Sequence, residues 1–461
     1  MIPRFYDSIF FGDHTTIDQH LREYHAYHVV KYSKIHESFV EPYAIYFPQF
    51  HAIPENDLNF YPGFTGMKNL INAKLDDPSL LTPARSILGY YDLEKDRDII
   101  PRQVKMARAY GLAGFAVYYY WFSVNTITQK HPIFKAAIDQ FFQEEYSDFT
   151  VFFVFCNEGW TSNPAFQNSH SSHEIYNKYD EDSFRENLSY LMPYFKHRNY
   201  RKIQNKPLLL IQHSDLMTES ELRLFYDIGD EVTKANGFDG IVVALNNDNR
   251  DPDPLSRNFG HYAIHPQYKS DRYSEFIDTQ RAIDYNYYAR RYIESRRENN
   301  DTVDVMNSVF VNFDNTPRLY THKNFKKIVT KTKNNGLHLF RVFLESQFMM
   351  YLRGKELKDN RIFLINSWNE WGEQMALEPS QEMGFAYLET FQKTLVDTFS
   401  DGGIHQTKQQ QQQAVIKQRN SHLRKEFSNS TERKFLYQRN NEPRSSKSSK
   451  PQHRKRRKKV G

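Results

Sequence analysis

Apolar residues gather in short runs, rich in aromatic and β-branched side chains, with longer amphipathic stretches between them. Eight runs read as strands: Tyr43–Pro48, Gly114–Tyr120, Thr150–Phe155, Pro207–Gln212, Gly240–Leu245, His261–His265, Met306–Asn312 and Arg361–Asn366. Their near-continuous apolarity is the pattern of parallel strands covered on both faces. Helical patterns fill most gaps, at Gln103–Tyr110, Pro132–Glu145, Asp182–Phe195, Ser220–Ala235, Thr279–Arg297 and Leu337–Leu357, and Phe385–Phe399 can close the array. Strands alternating with helices predict an α/β fold, a (β/α)8 TIM barrel. Phe50–Asp98 is too long for a simple crossover and reads as a large first βα loop.

The pattern stops at about Asp401. Beyond it comes DGGIHQTKQQQQQ, then a polar mixture ending in SSKSSKPQHRKRRKK. So few apolar residues cannot offset the entropy of ordering, so 401–461 is expected to be a disordered basic C-terminal tail. Residues 1–40 are expected to be an N-terminal extension and 41–400 the barrel domain. Charge divides at the same place. The tail holds 17 Lys+Arg against 4 Asp+Glu, and the first 400 residues hold 44 against 52. The body is acidic, which argues against a wholly nucleic-acid-binding fold. The Lys/Arg run at 454–459 is a nuclear signal, a grip on polyanions or a solvated end.

One cysteine, Cys156, rules out an intrachain disulfide and suits a reducing compartment. Charges interrupt the N-terminus before an apolar signal region develops, and no run approaches the roughly 18 apolar residues of a membrane span. The expected location is therefore cytoplasmic.

In a parallel barrel, chemistry sits on the loops that follow the strands. Those positions hold His51; Tyr119, Tyr120 and Trp121; Asn157, Glu158 and Trp160; Gln212 and His213; Asp314; and Trp368, Asn369, Glu370, Trp371 and Glu373. Every tryptophan in the chain is among them. Sugars need this mixture, because flat CH faces stack on aromatic rings while hydroxyls bond to amides, carboxylates and imidazoles. His51, Tyr119, Trp121, Asn157, Glu158, Trp160, Gln212, Trp368, Asn369 and Trp371 are the candidate substrate-binding residues. Glu370 and Glu373 are the candidate catalytic pair. Breaking or making a glycosidic bond needs one group to handle the leaving oxygen's proton and another to assist at the sugar. Two carboxylates can do both when their surroundings separate their proton affinities. Three residues apart on a turning loop, they lie on one side. Glu378 either supports them or is structural.

The segments YFPQFHAIPEND, GLAGFAVYYYWF, FCNEGWT, KPLLLIQ and LINSWNEWGEQMALEPS, in that order, resemble the WbsX-like proteins, which carry a glycoside hydrolase family 99-like domain. The resemblance spans about 41–389. It implies a TIM barrel and a role in polysaccharide assembly or modification. In the related hydrolases the first glutamate of a similar segment deprotonates the sugar 2-hydroxyl, which attacks its own anomeric carbon, and the second is the general acid and base. Carried over, Glu370 is the base and Glu373 the acid/base. The sequence departs from the family at Gly66-Met67, Gly159 and Gly372-Glu373-Gln374, all near the expected cleft.

The resemblance leaves a glycosyltransferase and a glycoside hydrolase both open. Asp251-Pro252-Asp253 is a weak echo of a metal-binding Asp-x-Asp, and no His/Cys/Asp spacing fits a metal, so no cofactor is expected. The expected partners are an oligosaccharide or polysaccharide, with a nucleotide-sugar or lipid-linked donor for a transferase. Two other readings are a glycan-binding barrel without turnover and a scaffold whose basic tail binds polyanions.

Overall fold

The computed structural model describes residues 40–72, 84–146, 148–160, 173–246, 261–262, 282–285, 289, 306–319, 331–333, 336–353 and 361–399. The chain divides into two units, Met1–Gly403 and Ile404–Gly461, and every described residue lies in the first. The N-terminal extension, the basic tail and Asp251-Pro252-Asp253 lie outside the described residues.

Eight parallel strands carry the fold. They are β1 (Glu41–Tyr46), β2 (Gly114–Trp121), β3 (Thr150–Phe155), β4 (Lys206–Ile211), β5 (Val242–Asn246), β6 (His261–Tyr262), β7 (Asn307–Phe310) and β8 (Ile362–Asn366). Hydrogen bonding runs β6-β5-β4-β3-β2-β1-β8-β7, so the first strand sits between the second and the last. Tyr43 pairs with Gly114 on one side and Leu364 on the other. No ladder joins β6 to β7 among the described residues, although their Cα atoms come within 8 Å. The architecture is thus mixed α/β with a mostly parallel sheet. Each strand falls within two or three residues of its predicted run, because a doubly covered strand writes its burial directly into the sequence.

Gly114 shows how closely the sheet is packed. A Cβ there would lie 1.8 Å from the Thr150 carbonyl oxygen and 2.4 Å from the Tyr43 ring. Glycine lets that ring lie across β2, where the Tyr43 hydroxyl meets Thr150 Oγ1 at 2.6 Å.

The first βα loop contains two short helices, α1 (Pro54–Asn59) and α2 (Gly66–Asn72), before the crossover helix α3 (Ile99–Ala109). Pro54 opens α1, where its missing N–H costs nothing. The buried Glu55 carboxylate accepts from Asn125 Nδ2 at 2.8 Å and Thr128 Oγ1 at 2.6 Å, tying this loop to the one after β2.

The pattern over Pro132–Glu145 yields only α4 (Lys135–Gln140). Pro132 and Ile133 pair instead with the end of β2, and Phe134 takes a left-handed conformation that breaks the helix on its N-terminal side. α5 (Glu181–Lys196) and α6 (Glu219–Ala235) match their patterns. Asp180 caps α5, and Thr218 and Glu221 form a reciprocal capping box on α6. Thr279–Arg297, expected as helix, is helical at Tyr285 and Ala289 but has a strand at Ala282–Asp284 paired with Lys331–Lys333. A partner so distant in sequence leaves no local periodicity to detect. A short α7 (Thr316–Leu319) follows β7, and α8 (Leu337–Arg353) and α9 (Ala386–Phe399) pack on each other beside β7 and β8.

Candidate active site

β8 is apolar and buried along its length, and the chain turns sharply after it. Ser367 organises the turn: its hydroxyl oxygen accepts from Glu370 N at 2.9 Å and donates to the Met375 carbonyl. Asn369–Glu370 then pairs antiparallel with Met375–Ala376, and Trp371–Glu373 between them forms one 3₁₀ turn. In a 3₁₀ turn, side chains at i and i+3 eclipse one another. Glu370 and Glu373 therefore share one side of the turn, and both are buried.

One arginine meets both. Arg318 on α7 donates from Nη2 to Glu370 Oε1 at 2.7 Å and from Nη1 to Glu373 Oε1 at 2.6 Å. Its own side chain remains 35% exposed. The guanidinium also lies 5.2 Å from the centroid of the Phe47 ring. Burial pushes the Glu370 carboxyl well above the usual carboxylate range, with Arg318 pulling it down and Glu373 pushing it up. Two buried carboxylates and one guanidinium leave a negative charge uncompensated, and one proton on the pair relieves it.

Glu378 has a different setting. Its carboxylate accepts from Trp371 Nε1 at 2.7 Å, Tyr91 Oη at 3.0 Å and Gln103 Nε2 at 3.0 Å. Gln103 in turn accepts from Tyr46 Oη at 2.7 Å, joining β1, α3 and the segment after β8. Burial raises Glu378 to about 7 against these hydrogen bonds. It anchors the back of the turn.

The other candidates divide sharply. Asn369 spends its amide on the Phe47 backbone, accepting from N at 2.8 Å and donating to O at 3.1 Å, which fixes the end of β1. Trp368 is fully buried, donating its backbone N–H to Ile45 O at 2.7 Å and packing its ring 5.2 Å from Phe115. Trp371 is buried with its indole on Glu378. Asn157 bridges the loops after β3 and β4, accepting from His213 N and donating to His213 O, both at 2.9 Å. Glu158 lies 3.4 Å from His213 Nε2, and Gln212 is buried. His51 is buried edge-on to Phe134, its Nδ1 unpartnered and its proton affinity lowered by burial.

β2 shows what a list of strand-end residues omits. Alternate side chains of a strand point to opposite faces. Tyr119 and Trp121 both face α5: the Tyr119 hydroxyl donates to Asn187 at 2.9 Å, and the Trp121 ring sits 5.1 Å from Tyr190. Tyr118 and Tyr120 take the other face. Tyr118 lies 6.2 Å from Phe47, and Tyr120 packs on Trp160 at 5.8 Å. The Tyr120 hydroxyl is bonded by Gln49 and feels the charge of Glu370, and burial pushes it well up. Burial likewise holds Cys156, beside Tyr120, as a thiol. The structure thus sets Tyr119 and Trp121 apart from the glutamates. Trp121, Trp160 and Trp371, expected among the substrate-binding residues, are all buried. Arg318 went unnoticed in the sequence, although it stands four residues beyond Asp314, at the end of the strand 7 run.

Among the described residues, no group of three or more His, Cys, Asp or Glu could hold a metal ion. Nor is any described helix long and apolar enough to cross a membrane.

Fold and site together define a mixed α/β protein with a buried glutamate pair on the turn after its last parallel strand. The family described as Glycosyltransferase WbsX matches residues 42–391, and the chain belongs to that family. Among curated proteins, the uncharacterized protein WxcX from two strains of Xanthomonas campestris pv. campestris is 25% identical over 382 residues. That match covers 76% of this chain and 49% of WxcX, so the chain spans about half the length of these relatives. Among solved structures, a GH99 endo-alpha-mannosidase from Bacteroides thetaiotaomicron is similar at 15% identity and a TM-score of 0.48, covering 78% of this chain and 97% of that one. A glycoside hydrolase-like protein is similar at 12% identity and a TM-score of 0.46, covering 78% and 95%.

Proposed function

We propose that residues 41–400 form a (β/α)8 barrel that makes or breaks glycosidic bonds in polysaccharide assembly or modification, with Glu370 and Glu373 as its acid–base pair. One observation carries this reading: two buried carboxylates on one 3₁₀ turn after the last strand, held by a single arginine. Closure between β6 and β7 completes the barrel, and the strand order, with β1 beside β8, is the order such closure requires.

Family resemblance assigns the steps. Ionised Glu370 takes the proton of the sugar 2-hydroxyl as that oxygen bonds to the neighbouring anomeric carbon. Glu373 gives its proton to the departing glycosidic oxygen as the old bond breaks. Water or an acceptor hydroxyl, deprotonated by Glu373, then opens the three-membered ring, and the 2-oxygen recovers its proton from Glu370. Water makes the enzyme a hydrolase and a sugar hydroxyl makes it a transferase. Either course needs one proton on the pair at the start, which suits two carboxylates beside one guanidinium. Tyr120 and Glu158 are the residues we assign to the surrounding glycan site.

The test is turnover of a glycan panel, with and without nucleotide sugars, by wild type, Glu370→Gln and Glu373→Gln. Each variant is expected to fold and to lose roughly 10²–10⁴-fold in rate. Near-normal turnover by both would refute the assignment. Equal binding by all three without turnover would favour a glycan-binding barrel.

A further inference from the structure

We propose that Arg318 is the positioning residue of the glutamate pair: its guanidinium bridges the two carboxylates and limits them to one shared proton. The proposal rests on the glycosidic reading for its purpose, but not for its test. Three contacts hold the arginine in place. Asp314 N donates to the Glu373 carbonyl at 2.8 Å, coupling the start of α7 to the 3₁₀ turn. Thr316 N donates to Asp314 Oδ1 at 2.9 Å, closing the first turn of α7. Asn69 on α2, itself buried, donates from Nδ2 to the carbonyls of Pro317 at 2.8 Å and Arg318 at 3.1 Å. The Phe47 ring lies beneath the guanidinium. The first βα loop, β1 and the loop after β8 all contribute to the mount.

The charge argument follows from the bridge. With both carboxylates ionised, the three groups carry one net negative charge in a largely buried place, and one proton neutralises them. Without Arg318 the same buried place has lost this cation, and burial then favours the protonated form of the carboxyls more strongly. A fully protonated pair contains no base. Among the described residues, the other ionisable groups near the pair do not supply the missing charge. Tyr120 from β2 and the Cys156 thiol at the end of β3 are neutral, Glu158 is acidic, Asp314 is bonded to Thr316, and Glu378 faces neutral donors behind the turn. Lysine could supply charge, but it cannot present two fixed nitrogens to two carboxylates.

The test reads protonation directly and needs no substrate. Infrared spectra of the full chain follow the carboxylic acid carbonyl band across neutral pH, with Glu370→Gln and Glu373→Gln assigning it. In Arg318→Met the band should persist to higher pH by about 1–3 units, the usual effect of an adjacent opposite charge. Arg318→Lys should shift it less than Arg318→Met does. If Arg318→Met does not fold, Arg318→Gln makes the same comparison. A band that titrates as in the wild type in the folded neutral variant would overturn the proposal. That result would leave the glycan assay of Glu370 and Glu373 untouched, and failure of the glycan assay would leave this titration standing.

Discussion

The segment from Ser367 to Glu378 holds three buried glutamates, and they occupy two kinds of environment. Glu370 and Glu373 share a charged partner that is one-third exposed on a short helix from another loop. Glu378 meets neutral donors on β1's side of the sheet, from α3, Tyr91 and the Trp371 indole, and all of them are buried. In the proposed mechanism the first setting exchanges protons with the glycan, and the second holds the shape of the turn. Burial alone therefore does not mark a reacting carboxylate; the kind of partner and its access do.

Activity should separate the two environments most strongly. Glu370→Gln and Glu373→Gln should each lose roughly 10²–10⁴-fold in turnover while melting near the wild type. Glu378→Gln should keep turnover within about tenfold, since a glutamine oxygen can still accept from Trp371 and Tyr91, and Gln103 can turn its amide to match. A Glu378→Gln loss as large as the other two would erase the distinction.

Stability should rank them the other way. Glu378→Ala strips the acceptor from three buried donors, each costing about 1–3 kcal/mol when left unmade. Urea unfolding should show a loss of at least about 3 kcal/mol. Glu370→Gln should cost less, because the amide oxygen can still accept from Arg318 and no buried donor is stripped of its partner. Equal losses would mean that the pair is as structural as Glu378.

The pH dependence of stability also has a definite sign at Glu378. The folded value of Glu378, about 7, lies above its ordinary value, so the folded state binds the extra proton between the two. Its contribution is complete below the ordinary carboxylate range and is lost as pH rises through about 7. Melting temperature should fall over that interval in the wild type and fall less in Glu378→Gln. A slope unchanged by the substitution would place the titration elsewhere.

The same contrast shows what the sequence made legible. Eight covered strands wrote their burial into apolar runs, and WNEWGE after the last one pointed to the pair. Composition could not say that Trp368 and Trp371 turn inward, or that Asn369 spends its amide on Phe47. Asn369 meets Phe47 at the end of β1, over 300 residues away, and the Trp368 ring meets Phe115 of β2, while the Trp371 indole turns in onto Glu378. Arg318 was hidden for the same reason, since its partners come from the loop after β8. The tyrosines of β2 were different: alternation along the strand was available, and it separates Tyr120 from Tyr119.

That separation gives the smallest effect and a clean one. Tyr119 and Tyr120 are neighbours with the same side chain, and the strand sends them to opposite faces. The Tyr119 hydroxyl donates to Asn187 on α5, so Tyr119→Phe should cost about 1 kcal/mol of stability and leave turnover unchanged. The Tyr120 hydroxyl stands by Gln49 within reach of the Glu370 charge. Losing it removes a polar neighbour of the proposed base without removing that base, so Tyr120→Phe should slow turnover by several-fold at most and alter its pH profile. Paired measurements of melting and rate on both variants check this. If Tyr119→Phe slows turnover and Tyr120→Phe does not, the glycan meets the other face of β2, and Tyr119 and Trp121 return as candidates for binding it.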